Sequence, residues 1–362
     1  MHADVAKLVV EHYDKLPLSF PRTADGPATE YFDWVGWTDE EGKIFTSLTP
    51  FFEPLEEIAE RAGRDRKEVQ ELLDSLFMKR QLLRVGKPGA YQYRYMTWGP
   101  GTYEHVGSRF DKWFADWWHR IETAETVAAI YGDKTPISRV VPREPSLPFH
   151  MEILPTESIS HILTHEVTHI AKTTCVCRTK AKLGGGGCDA PRDGICMWTN
   201  EWAIMEAETG EGEMITVDEA LKVVERGQKA ELVHAVTFCG STWWICNCCR
   251  CCCDLLAPRL AGIYQAAANS NFLPALDLEL CNGCKDCISP CPSESISFVV
   301  KDKKVAINEE TCIGCGLCVV ECPQDAMTLK RRPKEQVVVY PVNGDELLRV
   351  LAHERGKTFW YK

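Results

Sequence analysis

The chain has 362 residues, 45% of them hydrophobic, and a formal net charge of −11 from 41 basic and 52 acidic side chains. That length gives room for about two or three domains, and no apolar run approaches the ~20 residues that span a bilayer. The acidic balance argues against a surface built for nucleic acid, and the opening Met-His-Ala-Asp-Val-Ala-Lys lacks the basic and apolar stretches of a signal peptide.

A cytoplasmic protein is therefore expected, and in that compartment nineteen cysteines read as metal ligands or redox groups before disulfides. Residues 4–16 carry Val5, Leu8, Val9 and Tyr13 on one helical face. Pro17, Pro21 and Pro27 then interrupt regular structure. Leu55, Ile58, Ala59 and Ala62 predict an amphipathic helix closed by Gly63. Asp65 stands as an N-cap with Glu68 three residues on, and Val69, Leu72, Leu73, Leu76 and Phe77 follow at helical spacing. After Leu82 and Leu83, residues 84–95 read as strand, Gly/Pro turn, strand.

Helix, turn, helix and hairpin in that order resemble the winged-helix fold. The second helix mixes Arg64, Arg66 and Lys67 with Glu68, Glu71 and Asp74, whereas a reading helix presents a basic, polar face. The hairpin is more basic, with Arg84, Lys87 and Arg94. Docking or dimerisation is the expected use, ahead of DNA binding.

Phe110, Trp113, Phe114, Trp117, Trp118 and Ile121 form an aromatic stripe at helical spacing, read as core packing between domains. Residues 136–155 are proline-rich and mark a boundary. Next, His161, His165, Glu166 and His169 contain a literal H-E-x-x-H, the zinc-protease pattern. A strand follows at once and no clear third ligand does, so a surface helix is expected instead.

Cys175-Val-Cys177-Arg178 opens a cysteine-rich stretch. The glycine run 184–187 leads to Cys188 and Cys196; Thr216 and Glu219 form a capping box for a helix to about Ala230; 233–236 reads as a strand. Cys239 and Cys246-Asn-Cys248-Cys249-Arg-Cys251-Cys252-Cys253 complete a set of eleven. A strand would hold Cys175 and Cys177 on one face, pointing into one site. Free thiols in such number are an oxidation hazard that metal ligation removes. At least one further iron–sulfur cluster is the expectation, with structural zinc as the alternative. Loosely, this layout is similar to uncharacterised ferredoxin-fused proteins of anaerobes.

The last motif is the most specific. Cys281-Asn-Gly-Cys284-Lys-Asp-Cys287-Ile-Ser-Pro-Cys291-Pro292 is repeated as Cys312-Ile-Gly-Cys315-Gly-Leu-Cys318-Val-Val-Glu-Cys322-Pro323. Both runs read C-x2-C-x2-C-x3-C-P, which lets one tight loop wrap three corners of a [4Fe–4S] cubane. Gly283, Gly314 and Gly316 allow close approach and positive φ. Residues 272–331 resemble the two-cluster bacterial ferredoxin family. In that family the fourth cysteine of each run serves the other cluster. The resemblance thus implies one cluster on Cys281, Cys284, Cys287 and Cys322 and another on Cys312, Cys315, Cys318 and Cys291. Residues 296–300 and 305–307 read as strands between the halves.

The expected fold is α+β in three parts: a winged-helix-like scaffold over 1–125, a Cys-rich α/β domain over 126–270 and a two-cluster ferredoxin-like domain over 271–331. A tail, 332–362, with a strand at 337–340 and a helix at 346–353, is expected to pack on the ferredoxin-like module. The expected function is one-electron transfer with a redox partner protein, without membrane or nucleic acid. An oxidoreductase subunit with its reaction centre in 175–253, and a redox-sensing winged-helix regulator, are the rivals. No G-x-G-x-x-G or P-loop is present to bind a nucleotide.

Overall fold

The computed structural model describes residues 1–132, 134–148 and 153–360; part of the proline-rich boundary lies outside them. Helices and antiparallel sheets are mixed along the chain, in keeping with an α+β class.

The first helix, Ala3–Tyr13, buries Val5, Val9 and Tyr13 but leaves Leu8 exposed. Helices Leu55–Ala62 and Arg66–Met78 follow, separated by Gly63 in the left-handed conformation. Asp65 caps the second by accepting from the Lys67 and Glu68 N–H groups. Strands Leu82–Val85 and Gln92–Tyr95 then pair antiparallel, and residues 53–54 add a third, short strand. The aromatic stripe becomes helix Lys112–Ile121, with Phe114, Trp117, Trp118 and Ile121 buried and Trp113 half-exposed. Its rings stack on Tyr31, Trp98 and Tyr103. Truncating one such ring to alanine costs about 3–5 kcal/mol. The same apolar core takes in Trp198, Trp202, Trp243 and Trp244 from the middle of the chain and Leu348 and Ala352 from its end.

The middle region is built on a six-stranded sheet in the order Ser138–Val141, Val233–Thr237, Trp244–Cys248, Cys196–Thr199, Ile170–Thr173, Glu213–Met214. Every pairing between these strands is antiparallel, whereas an α/β domain is built on parallel strands, so the α/β arrangement expected here is corrected. Helix Val217–Lys229 lies on one face, started by the reciprocal Thr216–Glu219 capping box. Gly227 admits the Asn247 side chain, which occupies the space a Cβ would fill.

The two cysteine runs sit between two strand pairs. Phe272–Leu276 pairs with Met327–Arg331, and Ile296–Val299 pairs with Lys304–Ile307, close to the expected strands. Gly283 has φ 73° and Gly314 φ 70°. A side chain at Gly314 would collide with Ser270 Oγ and the Phe272 carbonyl, and at Gly283 with the Lys303 carbonyl. Both positions thus require glycine.

The tail touches the cysteine-run module in its first residues, where Arg332 donates to the Cys312 carbonyl at 2.7 Å. Residues 337–340 pair with no strand, though the Val338 N–H donates to Asn271 Oδ1 at 2.9 Å. Helix Gly344–Glu354 leaves the cysteine runs and packs Leu347 and Leu351 against Ile137, Phe238 and Cys239. Glu354 accepts from Thr135, and Arg355 donates to the Pro17 carbonyl at 2.6 Å.

Candidate metal centres

The two C-terminal runs cross over. Cys281, Cys284 and Cys287 line one cavity together with Cys322 from the second run. Cys312, Cys315 and Cys318 line another together with Cys291 from the first. The second is the more enclosed. Burial pushes the Cys315 thiol up to about 12, and Cys318 is raised for the same reason. In the first, burial raises Cys287 to about 11 while Cys284 is exposed. Backbone N–H groups turn toward sulfur, as at Ser295 N–H to Cys291 Sγ, 3.3 Å. Two tetrads of thiols with N–H donors fit the donor set of two [4Fe–4S] groups.

Residues 273–323 match the family model of a 4Fe-4S dicluster domain. This part of the chain is of ferredoxin type. No curated protein sequence and no solved structure matches the chain.

The other cysteines divide into two groups and a singleton. Six form a closed ring of neighbours. Cys175 contacts Cys177 and Cys196, Cys196 contacts Cys246, Cys246 contacts Cys248, Cys248 contacts Cys253, and Cys253 contacts Cys177. The Cys253 and Cys248 sulfurs are 3.0 Å apart.

Each member of the ring is placed for a local reason. Cys246 and Cys248 lie two apart on strand Trp244–Cys248 and so share a face. Trp244 pairs with Trp198 and Ile245 with Met197, so one step further Cys196 comes opposite Cys246. The expected strand through Cys175 and Cys177 is corrected. The strand ends at Thr173, Cys175 is the N-cap of helix Val176–Leu183, and Cys177 lies in its first turn. The two still converge, because a helix N-terminus turns its first side chains and its dipole toward one point. Hydrogen bonds from Cys177 and Cys196 hold Cys175 well below the usual thiol range, and bonds from Cys177 and Cys248 do the same for Cys253.

The ring opens on a cavity of about 70 Å³, larger than the roughly 10 and 20 Å³ of the ferredoxin-type loops. Trp118, Tyr103, Glu104, Tyr131 and Asp254 line its far side. The aromatic helix is therefore also a wall of this site. Asp254 accepts from Tyr103 at 2.8 Å and from Lys180 at 2.5 Å, and its backbone carbonyl accepts from Tyr131 at 2.5 Å. Burial pushes Glu104 up to about 8. Six thiols exceed the four a cubane takes, so the ring offers donors enough for an iron–sulfur group.

Cys188, Cys249, Cys251 and Cys252 make the second group, with all four sulfurs within 4.8 Å of one another. Loop 248–253 therefore sends Cys248 and Cys253 into the ring and the other three cysteines out of it. Arg178 lies at the seam. Burial opposes its charge, but Cys175, Cys249, Cys196 and Cys248 outweigh burial and raise its pKa. Its guanidinium donates to the carbonyls of Pro191 and Asn247, each at 2.8 Å.

Cys239 joins neither group. It is fully buried beside Phe238 and Leu347, and its thiol donates to the Ser241 carbonyl. Expected as a ligand, it lies instead apart from both groups, packed like a small apolar residue of the core.

The H-E-x-x-H stretch forms no continuous helix. Ile159–His161 is followed by one π turn, Ile162–Glu166, and an extended Val167. His161 and His165 stack at 4.2 Å, while His169 leads into the sheet.

Sequence reading did not find Tyr103, Glu104, Tyr131, Lys180 or Asp254. Asp254 adjoins Cys253 and was findable on that ground; Tyr103, Glu104 and Tyr131 reach the cavity only through tertiary packing, and Lys180 joins them through its bond to Asp254.

Proposed function

We propose that the protein is an iron–sulfur electron carrier with two [4Fe–4S] clusters in its ferredoxin-type segment and a further cluster in the six-thiol ring. One observation carries this reading. Cys315 and Leu317 of the second run share an apolar cluster with Cys248 and Cys253 of the ring. Bound iron–sulfur groups would supply one-electron steps between neighbouring sites.

The chain's own charges set a direction. The site around Cys312 is flanked by Arg332, whose guanidinium donates to the Cys312 carbonyl at 2.7 Å, and by Arg143, whose backbone N–H donates to the Cys315 carbonyl at 3.0 Å and whose charge interacts with Cys315. Buried cations beside a cluster favour its reduced form. The exposed Cys284 site would therefore take electrons in, and the Cys312 site would pass them to the ring. A redox protein with a basic docking patch suits the acidic chain.

We place the protein in the cytoplasm of an anaerobic or microaerobic cell; among the described residues no helix is long and apolar enough to cross a membrane. Residues 1–125 act, in this reading, as a winged-helix-like scaffold. Three of its arginines are paired with carboxylates: Arg64 with Glu40 and Glu68, Arg84 with Asp74 and Glu208, and Arg94 with Glu201 and Asp345. Their charge is thus largely neutralised on the protein itself, which disfavours the regulator, although Lys67 and Lys87 stay exposed.

Anaerobic reductive titration tests the proposal. The holoprotein should take up more than two electrons and give spin-coupled EPR from neighbouring clusters. Zinc at the two ferredoxin-type sites, with no visible charge-transfer band, would overturn it.

A second reading, an oxidoreductase subunit whose reaction centre is the ring, draws on Glu104. A carboxyl that holds its proton near neutral pH on the wall of the ring cavity could deliver that proton to a reduced substrate.

A further inference from the structure

We infer that Cys188, Cys249, Cys251 and Cys252 hold a single zinc ion, distinct from the iron–sulfur groups of the ring and of the ferredoxin-type loops. The spacing of the sulfurs is the first ground. A Zn–S bond of about 2.3 Å in a tetrahedron places its sulfurs roughly 3.8 Å apart. Cys251 and Cys252 stand 3.6 Å apart, and Cys252 and Cys188 stand 3.7 Å apart. No pair in the set exceeds 4.8 Å. A cubane puts each thiolate on a different iron, so its sulfurs stand farther apart than sulfurs sharing one ion.

The second ground is the donor set. Four thiolates with no water or carboxylate among them make a closed site, the structural rather than the catalytic kind. Tetrahedral S4 coordination suits zinc or iron, and zinc binds such sites more tightly than ferrous iron.

The third ground is what the ion would do for the chain. Cys188 follows the glycine run 184–187, in which Gly185 and Gly187 have φ of 83° and 99°. Ordering four glycines is entropically costly. A zinc tying this run to loop 248–253 offsets that cost and fixes the loop that sends Cys248 and Cys253 into the ring. Cys251 is exposed, so the ion is open to exchange from solvent.

The test uses the full-length protein purified anaerobically. Metal analysis should find one zinc per chain. The double variant Cys188→Ser/Cys251→Ser should lose that zinc and keep the EPR signals of the ferredoxin-type segment, whose cysteines lie outside this loop. Should this variant prove insoluble, wild-type protein exposed to Co2+ decides alone: zinc should be displaced one for one, with the intense visible bands of tetrahedral cobalt thiolate. Substoichiometric zinc in the wild type, one zinc per chain retained by the double variant, or cobalt without tetrahedral bands would each overturn the inference. The electron-carrier reading fails on iron and this inference on zinc, so the two failures are distinguishable.

Discussion

Arg178 donates to the carbonyl of Asn247 at 2.8 Å, and that bond stations one buried cation between the six-thiol ring and the Cys188 tetrad. Two thiolate-rich sites so close together repel each other, and Arg178 is the charge that offsets this. Leaving buried charge unpaired by removing one partner costs about 3–5 kcal/mol. Arg178→Gln should lower stability by that order in anaerobic denaturant unfolding, and the variant should be purified with less metal in both groups than the wild type.

The crossover of the two runs makes a pairwise prediction. Cys322→Ser should leave the same residual EPR spectrum as Cys284→Ser, because both residues line one cavity. Cys291→Ser should match Cys315→Ser for the same reason. Each variant should lose up to four irons. A Cys322→Ser spectrum that matched Cys315→Ser would place the fourth cysteine in its own run's cluster.

Cys239→Ala should leave iron and zinc unchanged. Its thiol, pushed up to about 12 chiefly by burial, should resist alkylation near neutral pH until the protein unfolds. The substitution forfeits one hydrogen bond and a small packed volume, about 1 kcal/mol.

These cases mark how far the sequence was legible. The ferredoxin-type runs follow from spacing alone, because short-range chain geometry dictates how one loop wraps a cluster. The period-two argument is sound but belongs to Cys246 and Cys248, not to Cys175 and Cys177, whose strand stops at Thr173. The division of eleven cysteines into six, four and one was not legible. It depends on a sheet register and a loop that reverses direction between Cys248 and Cys253. The basic hairpin was misleading for the same reason: Arg94 is buried among Phe52, Glu201 and Asp345, partners far away in sequence.

His12 gives a pH prediction. It is buried beside Phe45 and Tyr95, and its Nε2 lies 2.9 Å from the Leu48 carbonyl. Burial first, then the charges of Lys15 and Arg61, depress its pKa to about 4 from 6.5. The unfolded chain therefore binds a proton below about pH 6.5 that the folded chain refuses. The contribution of neutral His12 is complete above that pH and is lost as pH falls toward 4, by about 3 kcal/mol. His12→Gln keeps a donor but cannot titrate, so its stability relative to the wild type should rise across that window.

The central claim is that the ring binds iron beyond the ferredoxin-type segment. Iron and sulfide counted in anaerobically purified full-length protein test it most directly, alongside Cys175→Ser and Cys248→Ser. The account predicts clearly more than the roughly eight irons that two cubanes supply, and a lower count in both variants while the ferredoxin-type EPR signals persist. An iron content fixed at about eight and unchanged by either substitution would contradict it.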